Sequence, residues 1–474
     1  MLDVARLSEA KQKLFELQRR GKRHSTASGA VSNVPAGNAP MSLAQEQVWL
    51  RDAVAKAPLY NESITIYRHG PLDIATLERT LAEIIRRHEI WRTTFDQVDG
   101  RLVQIVHPAP ASFRVPVVDL RSLPEPLREA EALRIAASDA RPRFDLRTGP
   151  LLRITLVQLD DESYRLFLTA HQLVVDGVSV YSVFPTELAA IYEAFIDGRE
   201  SPLPALRLQY GDFARWQREW LAGEAAQAQM NYWENQLAGE LPVLRWPAER
   251  PPVETFRGAI EPFALSQALT DELRVLAQRE GVTLFAVLLA GFSILLHLCT
   301  RQEDLVIGTL SPAGRKRAEF QKLLGYFLNP VALRLDLSGD ITLRTLLRRS
   351  QKATLGAIAH DDVPLEHLAQ RLVTMADPSR HPFFQTVISL APSVAELPPG
   401  WSMTPMDTDS GGARWDLYLE LSDRPQGILG RAQYNPDIYH QTAITDLLEQ
   451  YRFILERVAQ NPDLNLSAML AAVQ

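Results

Sequence analysis

The chain has 474 residues but only one cysteine, Cys299, so it cannot form an internal disulfide. Such scarcity is typical of proteins in a reducing compartment, and we expect the protein in the cytoplasm. Cys299 lies at the end of an apolar run. This position favours a buried structural thiol over a reactive nucleophile.

Long hydrophobic runs are also missing. The most apolar stretch, Leu284 to Cys299, is shorter than the roughly 18–20 residues that a membrane-spanning helix needs, and it contains Ser293 and His297. We therefore predict a buried core helix there. The polar N-terminal residues have no apolar core before a small-residue cleavage site, which argues against a signal peptide.

Several motifs of common enzyme chemistry are absent from the sequence. There is no HExxH and no paired CxxC, so we expect no metal site. There is no GxxxxGKS or GxxxxGKT phosphate loop, no GxGxxG and no GxSxG elbow, which disfavours an adenylating or redox enzyme. The net charge of -7 gives no reason to expect binding to nucleic acid, and no basic run indicates an anionic membrane surface.

The pattern of apolar residues predicts helices and strands mixed along the body of the chain, with no short repeat. Ala5–Arg20 has helical spacing, and a segment rich in Ser, Gly and Pro follows it. We divide the chain into a helical arm and flexible linker (1–41), an N-terminal lobe (42–215), an inter-lobe connection (216–255) and a C-terminal lobe (256–474).

The predicted elements mix helices and strands along the chain. The helices have amphipathic or wholly apolar spacing and are Ile74–His88, Leu127–Ala140, Val178–Phe195, Tyr210–Leu237, Leu269–Gly281, Thr283–Cys299, Ile341–Ala359, Leu365–Leu372 and Thr442–Gln460. The strands are Arg101–His107, Leu151–Gln158, Tyr164–Ala170, Leu305–Thr309, Phe383–Leu390 and Leu417–Leu421. This order predicts two α+β halves.

The segment Leu166–Ser179, LFLTAHQLVVDGVS, is the most informative for chemistry. An apolar strand leads to His171 and Gln172, and Asp176-Gly177 then turns into a helix. Strand ends that face a crevice are common positions for functional groups. We take these four residues as candidate catalytic residues.

Together with six other segments, this one resembles the condensation domains of nonribosomal peptide synthetases, which are relatives of chloramphenicol acetyltransferase. Those domains carry HHxxxDG, and alignment on Asp176-Gly177 places His171 on the first histidine and Gln172 on the second. The other segments occur in family order and are SLAQEQVWL from Ser42, RHEIWRTTF from Arg87, YGDFARW from Tyr210, LGYFLNPVALR from Leu324, HDDVPLE from His360 and DPSRHPF from Asp377.

The resemblance implies an α+β fold of two chloramphenicol acetyltransferase-like lobes, which form a V-shaped pseudo-dimer with a central tunnel. It implies an amide-forming acyltransferase of antibiotic or other natural product biosynthesis. Donor and acceptor carrier domains would present their thioesters on phosphopantetheine arms, and neighbouring modules of the same synthetase would be further partners. We expect a monomer that binds no cofactor of its own.

Gln172 is the position at which the sequence departs from the family motif. The family's second histidine faces the reaction centre, whereas a carboxamide has no usable base near neutral pH. If the strand persists to residue 172, His171 points to the opposite face and does not substitute for it. Three alternatives stay open: amide formation by positioning alone, a docking platform or dehydration-coupled relative, and a substitution made to trap a complex.

The resemblance also implies that Asp176 is mainly structural and pairs with an arginine. Arg92 is the first candidate for that arginine, and it enters the set of candidate site residues for this reason. The alternative role of Asp176 is to cap the helix that follows. Gly177 would permit the turn.

Four more residues match family segments near the tunnel or the acceptor side. Tyr326 and Asn329 are candidate tunnel residues, although the same segment is also a plausible turn before Pro330. Trp415 and Asp416 are candidates for the acceptor side, with ordinary strand residues as the alternative.

Three functional classes are consistent with this sequence. The first is an acyltransferase between carrier-bound thioesters, and the second is a silent binding module that recruits a carrier domain or a tailoring enzyme. The third is a free-standing acyltransferase that uses a soluble amine or alcohol. The N-terminal arm and the ending PDLNLSAML resemble linkers between modules, so we expect an excised domain.

Overall fold

The computed structural model describes residues 38–473 except 56, 247, 373–376, 378, 379, 393 and 405–409. The predicted helix Ala5–Arg20 and most of the linker after it lie outside the described residues, as do two positions of the segment that begins at Asp377. Residues 39–40, at the end of the predicted linker, form a short strand instead of a flexible tether.

The chain divides into two compact units. Of the described residues, the first unit holds those from Asn38 to Trp220 together with Gly314–Phe327 and Val394–Gly412. The second unit holds Leu221–Ala313, Leu328–Ser393 and Ala413–Gln474. Two segments of the second half of the chain therefore fold with the first half. A division of the chain into contiguous lobes does not allow for this exchange.

In chain order the strands are β1 (Ala39–Pro40), β2 (Asn61–His69), β3 (Thr93–Val98), β4 (Arg101–Val106), β5 (Val117–Asp119), β6 (Leu152–Asp160), β7 (Ser163–His171), β8 (Ala259–Ala264), β9 (Asp304–Ser311), β10 (Asn329–Asp336), β11 (Thr386–Leu390), β12 (Trp401–Thr404), β13 (Leu417–Arg424) and β14 (Gly427–Tyr434). The α-helices are α1 (Leu43–Val54), α2 (Ile74–Arg87), α3 (Glu125–Ala140), α4 (Phe184–Ile196), α5 (Tyr210–Leu221), α6 (Glu224–Gln236), α7 (Gln267–Glu280), α8 (Leu284–Thr300), α9 (Leu343–Ala359), α10 (Leu365–Leu372), α11 (Gln441–Gln460) and α12 (Leu466–Val473).

The first unit is built on two sheets. Five strands run in the order β12-β2-β7-β6-β5, and three more run in the order β1-β4-β3. β7 is central and pairs antiparallel with both β2 and β6, so that His171 at its end lies opposite Asn61. The edge strand β12 comes from the inserted segment Val394–Gly412 and pairs antiparallel with β2. The last residue of β7 is therefore enclosed by neighbouring strands.

The second unit is built on one six-stranded sheet in the order β10-β9-β11-β13-β14-β8. β11 is parallel to both of its neighbours, whereas the remaining pairs are antiparallel. Helix α8 packs against α9 and α11 and contacts β9 and β11. This arrangement buries α8 between the sheet and other helices.

Helix α2 has both an apolar face and an N-cap. In α2, Leu77, Leu81, Ile84 and Ile85 recur at helical spacing and are all buried. Asp73 caps the helix because its carboxylate accepts the Thr76 N–H at 2.6 Å. The predicted helix is confirmed here to within one residue.

Helix α8 is buried along nearly its whole length, from Ala286 to His297, as its apolar composition predicts. Among the described residues, no single helix passes a length and hydropathy test for crossing a membrane. α7 and α8 pass it only as a pair, with a bend of 106° between them.

Most predicted elements are confirmed, but two long helices are interrupted. The predicted helix Val178–Phe195 begins with a π-helical turn, Ser179–Val183, before α4 starts. The predicted helix Tyr210–Leu237 is two helices, α5 and α6, because Gly223 takes an extended conformation as the N-cap of α6. Apolar spacing runs through both breaks, so the pattern alone does not reveal them.

Several strands escape the sequence prediction. β10 starts with Asn329-Pro330, a turn-like pair, and β14 contains Gly430. A Cβ atom at Gly430 would lie 2.7 Å from Leu421 Cδ2 on the paired strand, so a small residue is needed there. Residues that usually end strands are thus placed inside them by packing.

Candidate functional site

His171 and Gln172 lie where β7 ends and a turn begins. His171 is the last residue of β7, and Gln172 is the first residue of a 3₁₀ turn, Gln172–Val174. The alternation of strand side chains therefore stops at His171 and does not determine the direction of Gln172. Both residues are buried, with Gln172 only 1% exposed.

The His171 imidazole is held by contacts inside the first unit. Its Nδ1 accepts the N–H of Leu173 at 3.2 Å, and its Nε2 lies 3.6 Å from Asp52 Oδ1. The rings of Tyr60 and Phe144 meet the imidazole edge-on, with centroids at 5.9 and 6.1 Å. Both imidazole nitrogens face protein groups, so the histidine at the first position of the motif is held in a structural role.

The backbone around Gln172 is fixed from three sides. The Gln172 N–H donates to the Tyr60 carbonyl at 2.8 Å. At the next residue, the Leu173 N–H donates to His171 and the Leu173 carbonyl accepts from Gln45 Nε2 at 2.9 Å. A turn with each of these groups bonded presents its side chain in a defined place.

Gln45 is a site-supporting residue that the sequence analysis missed. Its Oε1 accepts the Ser42 N–H at 3.1 Å, and Ser42 Oγ accepts the Gln45 N–H at 3.2 Å. This reciprocal pair is a capping box at the start of α1. The S-x-x-Q spacing in SLAQ signals the box, but the third bond, to Leu173, joins residues 128 apart and has no local signal.

Asp176 has a structural role, as the sequence analysis expected. Its carboxylate accepts the Ser179 N–H at 2.7 Å, which caps the following helix, and the Phe327 N–H at 3.1 Å. Arg315 donates to both carboxylate oxygens, from Nε at 3.0 Å and from Nη2 at 2.8 Å. A fully buried carboxylate with four donors has little capacity left for a substrate.

Arg92 is not the partner of Asp176, and this prediction was wrong. Its guanidinium donates to the His107 carbonyl and contacts Glu89 Oε1 at 3.4 Å. The partner is Arg315, which is 139 residues from Asp176 in sequence but belongs to the same unit. Aligning Arg92 with an arginine of a family motif does not show which arginine pairs with Asp176. The actual partner comes from a segment far away in the sequence.

Gly177 begins the helical segment after Asp176, and its φ angle is not among the positive ones. No left-handed backbone angle therefore requires glycine at this position. Gly325 does have a positive φ of 148°, and a Cβ atom there would lie 2.1 Å from Tyr210 Cδ2. At Gly325, therefore, both the backbone angle and the packing require glycine.

Tyr326 is anchored through its backbone. Its carbonyl accepts the Tyr210 hydroxyl, whose oxygen also lies 3.0 Å from Ser42 Oγ. One residue earlier, Gly325 exchanges two hydrogen bonds with Ser179 Oγ, at 3.0 and 3.1 Å. These bonds hold the inserted segment Gly314–Phe327 against the helix that follows Asp176. Burial raises the pKa of the Tyr210 phenol, so this group stays a neutral donor.

Asn329, in the second unit, fastens a loop. Its Nδ2 donates to the carbonyls of Asp361 and Val363 at 2.7 and 2.8 Å, and its Oδ1 accepts the Leu365 N–H at 3.0 Å. All these bonds lie within the HDDVPLE segment or at its end. Three of the hydrogen-bonding positions of the carboxamide are therefore occupied by protein.

Trp415 and Asp416 also belong to the second unit and immediately precede β13. Arg250 donates to both oxygens of the Asp416 carboxylate, and the Trp415 ring meets Tyr418 edge-on at 5.3 Å. Burial raises the pKa of Asp416, and the pairing with Arg250 opposes that effect. The partner Arg250 was not anticipated from the sequence.

Sequence comparisons relate nearly the whole chain to known proteins. A family model described as "Condensation domain" matches residues 36–473. Tyrocidine synthase 3 of Brevibacillus parabrevis is 36% identical over 90% of this chain, which spans 6% of that protein. Phosphinothricin tripeptide synthetase PhsB of Streptomyces viridochromogenes is 36% identical over 94% of this chain, which spans 38% of that protein. The chain thus covers a minor part of these relatives.

Structural comparisons give the same fold. The X-domain from teicoplanin biosynthesis superposes with a TM-score of 0.80 at 28% identity, over 93% of this chain and 99% of that one. The first condensation domain of the calcium-dependent antibiotic synthetase superposes with a TM-score of 0.78 at 23% identity, over 91% of this chain and 98% of that one. The expected chloramphenicol acetyltransferase-like α+β fold is confirmed.

Proposed function

Because this chain belongs to the condensation domains of nonribosomal peptide synthetases, we propose that it forms an amide between a donor acyl or peptidyl thioester and an acceptor aminoacyl thioester. The proposed activity is that of an acyltransferase that works without an imidazole base at residue 172. Its partners would be donor and acceptor carrier domains that hold their substrates on phosphopantetheine.

The observation that carries the proposal is the set of three hydrogen bonds that hold the turn at Gln172. Tyr60, His171 and Gln45 hold its backbone, and the Asp176–Arg315 pair holds the residues that follow. The scaffold of the motif is retained while one functional group differs.

Amide formation does not require a protein base in principle. An α-amine has a pKa of about 8, so roughly a tenth of it is neutral at pH 7 and can attack the thioester carbonyl. The attack forms the C–N bond, the C–S bond breaks, and the proton of the amine passes to solvent while the carrier thiolate leaves. The Gln172 carboxamide oxygen would accept a hydrogen bond from the amine and orient it.

The relative sizes of the two effects favour this mechanism. Positioning of two reactants contributes about 7–11 kcal/mol to lowering a barrier. A general base contributes a rate factor of about 10²–10⁴, which corresponds to roughly 3–5 kcal/mol. The absence of the base would therefore slow the reaction without abolishing it.

A second candidate function has its own support. The X-domain from teicoplanin biosynthesis, at 28% identity, is more similar in sequence to this chain than the condensation domain compared above, and an X-domain has been solved in complex with OxyB. By analogy, this chain would bind a partner enzyme or carrier and make no amide. Gln172 would then mark a lost activity.

A two-carrier assay separates these functions. Donor and acceptor carriers are loaded, incubated with the chain, and measured by intact-protein mass spectrometry. A product mass on the acceptor carrier supports condensation, and a product lighter by one water indicates coupled dehydration. No product from the chain, but product from Gln172→His, indicates that only the base is missing. No product from either variant supports the binding function.

A further inference from the structure

We propose that Asp52 is a positioning residue that acts through His171 to hold the turn that presents Gln172. The proposal rests on the proposed condensation function, which it deepens by naming a distant residue that the reaction depends on. Asp52 lies on α1. Neither the family motif nor the residues next to Asp52 in the sequence indicate this role.

The contacts of the His171 ring define which of its nitrogens carries the proton. Because Nδ1 accepts the Leu173 N–H, the proton of the neutral imidazole must be on Nε2. Within the described part of the chain, Nε2 has no hydrogen-bond partner, and the Asp52 carboxylate is the charged group recorded beside it, at 3.6 Å. A carboxylate on this side favours the tautomer that the turn needs.

Asp52 is itself held in place and ionised. Arg143 Nη2 donates to Asp52 Oδ2 at 2.9 Å and also to the Asp52 carbonyl. Burial acts to raise the pKa of Asp52, but the contacts with His171 and Arg143 outweigh it, so that the pKa lies below its ordinary value. A negative charge therefore faces Nε2 near neutral pH.

A change in the tautomer of His171 would affect the turn at Gln172. If the ring changed tautomer, an N–H at Nδ1 would face the N–H of Leu173, and two donors would meet in a buried place. The turn would lose one of its three backbone anchors, directly beside Gln172. Because a displacement of about 1 Å can cost roughly 100-fold in rate, a modest shift of this turn would be visible in kinetics.

The experiment is a double-mutant cycle on Asp52 and His171. Asp52→Leu removes the charge and the acceptor, and it leaves Arg143 free to turn towards solvent. His171→Asn keeps an acceptor for the Leu173 N–H, since asparagine is a good cap, but it no longer depends on Asp52. We expect Asp52→Leu to lower kcat about tenfold with KM changed less than about twofold. In the His171→Asn background the same substitution should have no further effect.

A second readout does not need activity. Protein labelled with [¹⁵N]glutamine gives a side-chain amide resonance for Gln172, assigned by its loss in Gln172→His. We expect Asp52→Leu to shift this resonance, and Asp52→Asn, whose carboxamide oxygen can still face Nε2, to shift it less. Asp139→Asn is the matched control, because the Asp139 carboxylate accepts the Thr155 hydroxyl in the same unit, and none of the hydrogen bonds described for Asp139 involves the turn.

The outcomes are distinct. An unshifted Gln172 resonance in Asp52→Leu, or an equal shift in the His171→Asn background, would overturn the proposal. If the chain makes no amide, the condensation function fails, and the resonance still decides whether Asp52 positions Gln172. If Asp52→Leu does not fold, Asp52→Ala, which also removes both the charge and the acceptor, provides the same cycle with and without His171→Asn.

Discussion

Arg315 and Asp176 form a buried pair in which both carboxylate oxygens accept from the guanidinium, at 3.0 and 2.8 Å. Nη1 of the same arginine donates to the Leu323 carbonyl at 2.9 Å. Arg315 thus joins the inserted segment Gly314–Phe327 to the turn that follows Gln172, and the integrity of the candidate site depends on it.

Arg315→Met should destabilise the first unit strongly. The substitution leaves the Asp176 carboxylate buried without its counter-charge, so we expect the free energy of unfolding to fall by about 3–5 kcal/mol. Urea-induced unfolding followed by tryptophan fluorescence measures the change.

Arg317→Met is the matched control, since Arg317 is two residues away, 47% exposed, and paired with Glu319 on the surface. Its loss should be within about 1 kcal/mol. Equal losses for the two variants would show that the buried pair has no special importance.

Gln172→His should increase the rate of amide formation. An imidazole supplies the missing base and is expected to raise kcat about 10²–10⁴-fold at pH 7.5. Below about pH 6.5 the imidazole is protonated, so the ratio of the two rates should shrink as the pH falls. Single-turnover kinetics from pH 5.5 to 8.5 measure the ratio. Gln172→Ala is the control, and a rate gain in that variant would argue against base catalysis.

Gln45→Ala should weaken both the start of α1 and the turn at Leu173. It removes the acceptor of the Ser42 N–H and the donor to the Leu173 carbonyl, and we expect a loss of about 2–3 kcal/mol in the free energy of unfolding. Gln47→Ala, two residues along the same helix, makes neither bond and should change stability by less than about 0.5 kcal/mol. Comparable losses would contradict the assigned role.

The contribution of Asp52 should depend on pH. Its pKa in the folded protein is below the ordinary value of 3.8, so its ionisation stabilises the fold above that value, and the stabilisation is lost as the pH falls through the lower folded pKa. The stability difference between the chain and Asp52→Asn should therefore be constant near pH 6–7 and should decrease in strong acid. Denaturation series at several pH values measure it, and a difference that grows with acidity would oppose the prediction.

Gly325→Ala should be much more damaging than Gly339→Ala. Both glycines have a positive φ, so both variants carry a backbone cost. Only at Gly325 would the new Cβ atom also overlap Tyr210, whereas nothing lies within 4 Å at Gly339. We expect a thermal melting temperature several degrees lower for Gly325→Ala. Similar melting temperatures would mean that the Tyr210 ring moves aside at little cost.

The local parts of the structure were predictable because local spacing controls them. The apolar faces of α2 and α8 and the strand before His171 follow from residues a few positions apart, and the structure reproduces them. The turn at Asp176 and its capping role were also predictable, since a cap depends on the next three residues.

The contacts that hold the site were not predictable in this way. Arg315 rather than Arg92 pairs with Asp176, Gln45 reaches Leu173, and Asp52 lies beside His171. Each contact depends on the path by which a distant segment returns, and β12 enters the first sheet by the same kind of return.

By itself, then, the sequence determined most of the helices, fewer than half of the strands, the motif and its glutamine, because periodicity and capping act between near neighbours along the chain. Only the tertiary structure decided which distant partners the buried polar groups have. A buried charge or amide is satisfied by whichever donor the packed chain brings to it, and sequence distance has no bearing on that choice.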